Sequence, residues 1–120
     1  MPRILLVEDN ELNRDSLSRL LKRQGLEVIF AEDGEQGVKS ALADQPDLVL
    51  MDIGLPLMDG FDATRAIRAQ GGRMPVIALT AHALQSDQEK ALAAGCDDFE
   101  TKPVEFPRLM AKVKRLLNLA

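Results

Sequence analysis

A single α/β domain on a five-stranded parallel sheet is the fold this sequence predicts. Short apolar runs alternate with helical patterns along the whole chain. The runs are apolar at successive positions rather than at every second one, as strands covered by helices on both faces require. The length of 120 residues, 46% of them hydrophobic, suits one core and leaves little for a second.

The runs "ILLV" (4–7), "LVLM" (48–51) and "VIAL" (76–79) read as central strands, "LEVIFA" (26–31) as an outer strand, and the polar "CDDFE" (96–100) as the other edge. Between them, "NELNRDSLSRLLKRQG" puts Leu17, Leu20 and Leu21 on one helical face and closes on Gly25, a natural residue just past a helix end. Asp33 with Gln36 has the spacing of a capping box, opening a helix with Val38, Ala41 and Leu42 inward and Pro46 at its end. A third helix is expected over 58–70, stopped by Gly71-Gly72. Ser86 with Glu89 suggests a capping box starting the fourth near Asp87, which leaves residues 81–85, "AHALQ", as a mobile loop. The fifth runs from about Pro107, with Leu109, Met110, Val113, Leu116 and Leu117 on one stripe. Parallel connections of this kind are right-handed crossovers.

Composition narrows the function. A net charge of −4, a 3% aromatic content and the absence of Trp and Tyr argue against a phosphate-backbone or base-stacking surface, so no nucleic-acid partner is expected. No stretch approaches the roughly 20 apolar residues of a membrane span, and "MPRILLVEDN" lacks the pattern of a signal peptide, so a cytoplasmic protein without a membrane partner is expected. The single Cys96 reads as a small buried hydrophobe.

The polar residues fall at strand ends. Glu8 and Asp9 follow the first strand, Asp52 ends the third, Thr80 follows the fourth and Lys102 follows the fifth. Each has a plainer role open to it: Asp9 or Asn10 as a helix cap, Thr80 as a turn residue, Lys102 as a surface cation. Together, however, they converge on the carboxyl edge of an open α/β sheet, where sites form. Three carboxylates there repel unless something neutralises them, and hard oxygen ligands suit Mg²⁺. An Asp carboxylate so placed can attack phosphorus, while Lys and a Thr hydroxyl balance the transferred oxygens.

At these residues the sequence resembles the CheY-like receiver domain of two-component response regulators, over essentially residues 1–120. "LLVEDN" carries the acidic pair, "LVLMDIGLPLMDG" the acceptor Asp52, "ALTA" the switch Thr80, and "FETKP" Phe99 with Lys102-Pro103. The resemblance implies a flavodoxin-like (βα)5 fold with strand order 2-1-3-4-5 and a cis Lys102–Pro103 peptide. It implies a metal site of Asp52, Glu8 or Asp9 (Asp9 the stronger) and the Gly54 carbonyl, and Phe99 as a second switch residue. It also implies a histidine kinase or histidine phosphotransfer protein as phosphoryl donor. Gly54 and His82 stand at positions that tune phosphoryl lifetime in such domains. Gly54 has no side chain to steer water, and His82 is open to either a structural or a shielding role.

Three function classes follow. The first is a phosphorylation-controlled switch that is not an enzyme toward an outside substrate, with self-phosphorylation and autodephosphorylation its only chemistry. A Mg²⁺-dependent phosphohydrolase would want a second carboxylate two residues after Asp52, where Gly54 stands, and a cap domain. A scaffold that works without phosphorylation would not need the full set of acids, Thr and Lys. Ser or Cys hydrolysis finds one His and one Cys on separate loops. The sequence closes soon after the fifth helix, so output by binding is expected, through the face of helix four, strand five and helix five. Arg108, Lys112, Lys114 and Arg115 are expected on the solvated side of the last helix.

Overall fold

The computed structural model describes residues 1–81 and 85–118. They form β1 (Arg3–Val7), α1 (Glu11–Arg23), β2 (Glu27–Ala31), α2 (Gly34–Asp44), β3 (Leu48–Asp52), α3 (Gly60–Ala69), β4 (Val76–Thr80), α4 (Gln85–Ala94), β5 (Asp98–Thr101) and α5 (Phe106–Leu116). All strand pairings are parallel and the order is β2-β1-β3-β4-β5. The chain steps from β1 outward to β2, then crosses back to place β3 on the other side of β1. Strand order therefore reverses between β1 and β3, and a crevice opens at their carboxyl ends.

Alternate residues of the continuous apolar strands feed two cores. Leu5, Val7, Val49, Met51, Val76 and Ala78 pack on one face with α2 and α3 residues such as Val38, Ala41, Ala63 and Ile67. Ile4, Leu6, Leu48, Leu50, Ile77 and Leu79 pack on the other with Leu21 of α1 and Leu109, Met110 and Val113 of α5. Every residue of β3 and β4 is buried, because helices cover both faces. Cys96 lies in the first core, where burial raises its thiol pKa above the ordinary value. Among the described residues no helix is long and apolar enough to cross a membrane.

Local chemistry sets the starts of the first two helices as expected. Asn10 caps α1 by accepting from the Asn13 N–H at 3.0 Å, and Asp33 caps α2 by accepting from the Gln36 N–H at 2.8 Å. Gly25, at φ +83°, follows α1 in the left-handed conformation.

Three expectations are corrected. The third helix begins at Gly60 rather than 58, because Asp59 caps it through the Asp62 N–H and Met58 belongs to a tight turn before it. The fourth begins at Gln85, so Ser86 stands inside it; Glu89 accepts from the Gln85 side chain at 3.3 Å, a one-turn helical pairing in place of a capping box. Residues 82–84 of the expected loop, His82 among them, lie outside the described residues. Finally, the basic residues of α5 are not simply a solvated face. Lys112 Nζ lies 3.0 Å from Glu100 Oε2, Arg108 Nε donates to Glu100 Oε1 at 2.9 Å, and Arg115 pairs with Asp98. Glu100, 2% exposed, points from an edge strand under α5, and a buried carboxylate needs such partners.

Candidate phosphoryl-accepting site

β1 and β3 deliver three carboxylates to the crevice. Val7 is in register with Met51, so the residues that follow, Glu8–Asp9 and Asp52, meet at the rim. One oxygen from each of Glu8, Asp9 and Asp52 lies within 4.8 Å of the others. Asp52 is the last residue of a fully buried strand and is 4% exposed, so its backbone is rigid while its carboxylate faces the open edge. Its Oδ1 accepts from the Gly54 N–H at 3.1 Å.

Lys102 supplies the counter-charge. Its Nζ lies 3.0 Å from Asp52 Oδ2 and 3.1 Å from Glu8 Oε2. Burial pulls the Lys102 pKa down, but hydrogen bonds and charges from Asp52 and Glu8 outweigh it, leaving the group above its ordinary value and firmly cationic. Glu8 moves up instead: burial and the nearby Asp52 charge disfavour its ionised form more than the Asn10 N–H and Lys102 favour it. Both Glu8 oxygens are engaged, Oε1 by the Asn10 N–H and Oε2 by Lys102, whereas Asp9 is exposed at the rim. Because Asn10 caps α1, Asp9 is released from the helix-capping role left open for it.

Thr80 ends β4 and is 7% exposed; its carbonyl accepts from the Lys102 N–H at 2.7 Å, tying the ends of β4 and β5 together. The Lys102–Pro103 peptide is cis. Phe99 is not part of the acidic pocket. It packs partly buried against the first core, its carbonyl accepts from Lys112 Nζ at 2.6 Å, and that ammonium sits 5.1 Å from its ring centroid. Two contributors were not legible in the sequence. Arg14 donates to the Glu8 carbonyl at 2.8 Å, and Lys112 wraps the sheet edge; neither belongs to a local pattern, since each reaches its partner through tertiary packing.

A hard-oxygen donor set of three clustered carboxylates, only partly balanced by one ammonium, fits a divalent cation such as Mg²⁺.

An open five-stranded 2-1-3-4-5 sheet with acids, Thr and Lys on its carboxyl rim defines a receiver, and residues 4–114 match the model of the response regulator receiver domain. The chain belongs to that family, which serves two-component and phosphorelay signalling. It is 42% identical over 118 residues to hybrid signal transduction histidine kinase G of Dictyostelium discoideum, covering 94% of this chain and 3% of that protein. The chain spans about half or less of the length of the curated relatives it matches. Among solved structures it is similar to the receiver domain of sensor histidine kinase PA1611 from Pseudomonas aeruginosa, which has a magnesium ion coordinated in its active-site cleft: 44% identity, TM-score 0.90, 98% of each chain covered. It is also similar to a chain of the Saccharomyces cerevisiae co-crystal of the histidine phosphotransfer protein Ypd1 with the Ssk1 receiver domain, at 30% identity and TM-score 0.90, covering 96% of this chain and 88% of that one.

Proposed function

We propose that residues 1–120 act as one receiver, taking a phosphoryl group onto Asp52 from a histidine kinase or histidine phosphotransfer protein in the cytoplasm and changing partner affinity as a result. The observation that carries this reading is Asp52 itself, buried at a strand end, its Oδ2 3.0 Å from Lys102 Nζ, amid acids within 4.8 Å. In the transfer, an Asp52 carboxylate oxygen bonds to phosphorus as the P–N bond of the phosphohistidine breaks, and the imidazole keeps the electron pair. Lys102 pairs with one anionic oxygen of the phosphoryl group, and the Thr80 hydroxyl donates to another. Glu8, Asp9, Asp52 and the Gly54 carbonyl would hold Mg²⁺, which supplies positive charge against the carboxylates and the phosphoryl oxygens. Autodephosphorylation is the same site attacked by water, with the Asp52 carboxylate as leaving group.

A groove of about 530 Å³ beside Lys102 and Glu8, lined by Leu17, Leu20, Val104 and Phe106, supports docking of the donor next to Asp52. The Ypd1–Ssk1 likeness supports the donor class. Output is assigned to the face of α4, β5 and α5. Thr80 is joined to β5 through the Lys102 N–H, and Phe99 on that strand is held by Lys112 of α5, so a shift at Thr80 has a short path outward. The test is phosphoryl transfer from a purified, histidine-phosphorylated phosphotransfer domain. Label should pass to this chain in the presence of Mg²⁺ and stay on the donor when EDTA is added or Asp52 is replaced by Asn. Transfer that survives both would refute the reading.

A further inference from the structure

The loop that follows Asp52 is held by two glycines whose backbones touch other backbone. A Cβ on Gly34, the first residue of α2, would stand 2.2 Å from the Met58 carbonyl oxygen and 3.0 Å from its carbonyl carbon. A Cβ on Gly60 would stand 2.4 Å from the Asp52 carbonyl oxygen. Between these contacts the chain turns sharply. The Met58 N–H donates to the Pro56 carbonyl at 2.7 Å across Leu57, whose φ of 69° is costly for a leucine. Such a conformation persists only where its surroundings over-determine it. The Gly60 N–H closes the loop onto the Ile53 carbonyl at 3.2 Å, and within it the Gly54 N–H donates to Asp52 Oδ1.

We propose that Gly34 is a positioning residue for the phosphoryl-accepting site: by abutting the Met58 backbone it fixes the loop 53–59 and, through the Gly54 N–H, the orientation of the Asp52 carboxylate. The inference rests on the Asp52 reading above. No side chain fits at Gly34, because the atoms it would meet are the Met58 carbonyl group and the Met58 Cβ, at 2.8 Å, which is fixed to that backbone, so they can yield only if the loop moves. Gly37, one turn further along α2, provides the contrast. Its Cβ would meet Val7 methyl carbons at 3.0 and 3.1 Å, a side-chain contact that can relax without disturbing the loop.

The test compares Gly34→Ala and Gly37→Ala in the 120-residue chain. Amide spectra without metal report the Gly54 N–H, a Mg²⁺ titration gives affinity, and acetyl phosphate at saturating Mg²⁺ gives the phosphorylation rate. Gly34→Ala should shift the Gly54 amide, weaken Mg²⁺ binding roughly tenfold, as loss of support behind a ligand does, and slow phosphorylation. Gly37→Ala should leave all three near wild type. If Gly34→Ala does not fold, Met58→Gly removes the Met58 Cβ that abuts Gly34 and frees the loop backbone there, with a broadened Gly54 amide and weakened Mg²⁺ binding expected. An unmoved Gly54 amide with affinity within about twofold of wild type, or equal effects from Gly37→Ala, would overturn the proposal. A wild-type protein that neither binds Mg²⁺ nor accepts phosphoryl would instead overturn the Asp52 reading, and the metal-free amide would still judge Gly34.

Discussion

Lys102 Nζ lies 3.0 Å from Asp52 Oδ2 while holding Glu8 Oε2 at 3.1 Å, so one ammonium is shared by two buried carboxylates. That cation competes with any metal for the same acids, yet it is also the charge that a transferred phosphoryl group needs. Lys102→Ala should therefore keep or strengthen Mg²⁺ affinity, measured by titration, while impairing the phosphorylated state. Without metal it should cost about 2 kcal/mol in urea unfolding, because Glu8 loses a buried partner, and Mg²⁺ should restore much of that loss. Asp9→Ala should do the opposite, weakening Mg²⁺ binding and slowing phosphorylation in parallel. Two variants that bind Mg²⁺ like wild type would show the acidic pocket to be misassigned.

Glu8 gives a pH signature. Its pKa is raised, chiefly by burial and then by Asp52, above the ordinary 4.5. The folded state thus binds this proton more tightly than the unfolded chain. The resulting stability is present below 4.5 and is lost as pH rises through the folded-state value. Glu8→Gln carries no such titration, so in EDTA its stability should gain on wild type as pH rises above 4.5 and through the folded-state value. Urea unfolding at several pH values checks this; a Glu8→Gln stability that falls relative to wild type as pH rises would contradict it.

The β5–α5 ion-pair cluster is a stability element as well as part of the proposed output face. Lys112, with its side chain 22% exposed, pairs with Glu100, donates to the Phe99 carbonyl and covers the Phe99 ring. Lys112→Met should cost about 1–3 kcal/mol, since Glu100 and the Phe99 carbonyl each lose a partner. Lys114→Met, at an exposed position of the same helix, should stay within about 0.5 kcal/mol of wild type. Chemical denaturation of the pair decides between a structural cluster and a merely solvated one.

Much of this was legible in the sequence because it is local. The continuous apolar runs placed β1, β3 and β4 within a residue, and strand ends alone gathered Glu8, Asp9, Asp52, Thr80 and Lys102 on one edge. What escaped was set by distant partners. The start of α4 turned on a Gln85–Glu89 pairing that competes with a plausible Ser86 cap. The fate of Arg108, Lys112 and Arg115 depended on the register of β5, which turns Asp98 and Glu100 toward α5. The fit of Gly34 against Met58 joins segments that no spacing rule connects.

The route of the signal can be mapped with Mg²⁺ and beryllofluoride, an acyl-phosphate mimic. Amide shifts should begin at the acidic pocket and extend through Thr80, residues 85–87 and residues 97–103, because the Lys102 N–H ties Thr80 to β5 and Lys112 ties Phe99 to α5. Shifts confined to the pocket, or running through residues 26–44 instead, would remove the α4–β5–α5 face while leaving the acceptor in place.

The most direct test of the central claim is mass spectrometry of the protein after incubation with Mg²⁺ and acetyl phosphate. An aspartyl phosphate is a mixed anhydride, so one base-labile, acid-stable phosphoryl group should map to Asp52, and Asp52→Asn should abolish it. Undiminished labelling of the Asp52→Asn protein, or a phosphoryl group mapped to another residue of the wild type, would contradict the account.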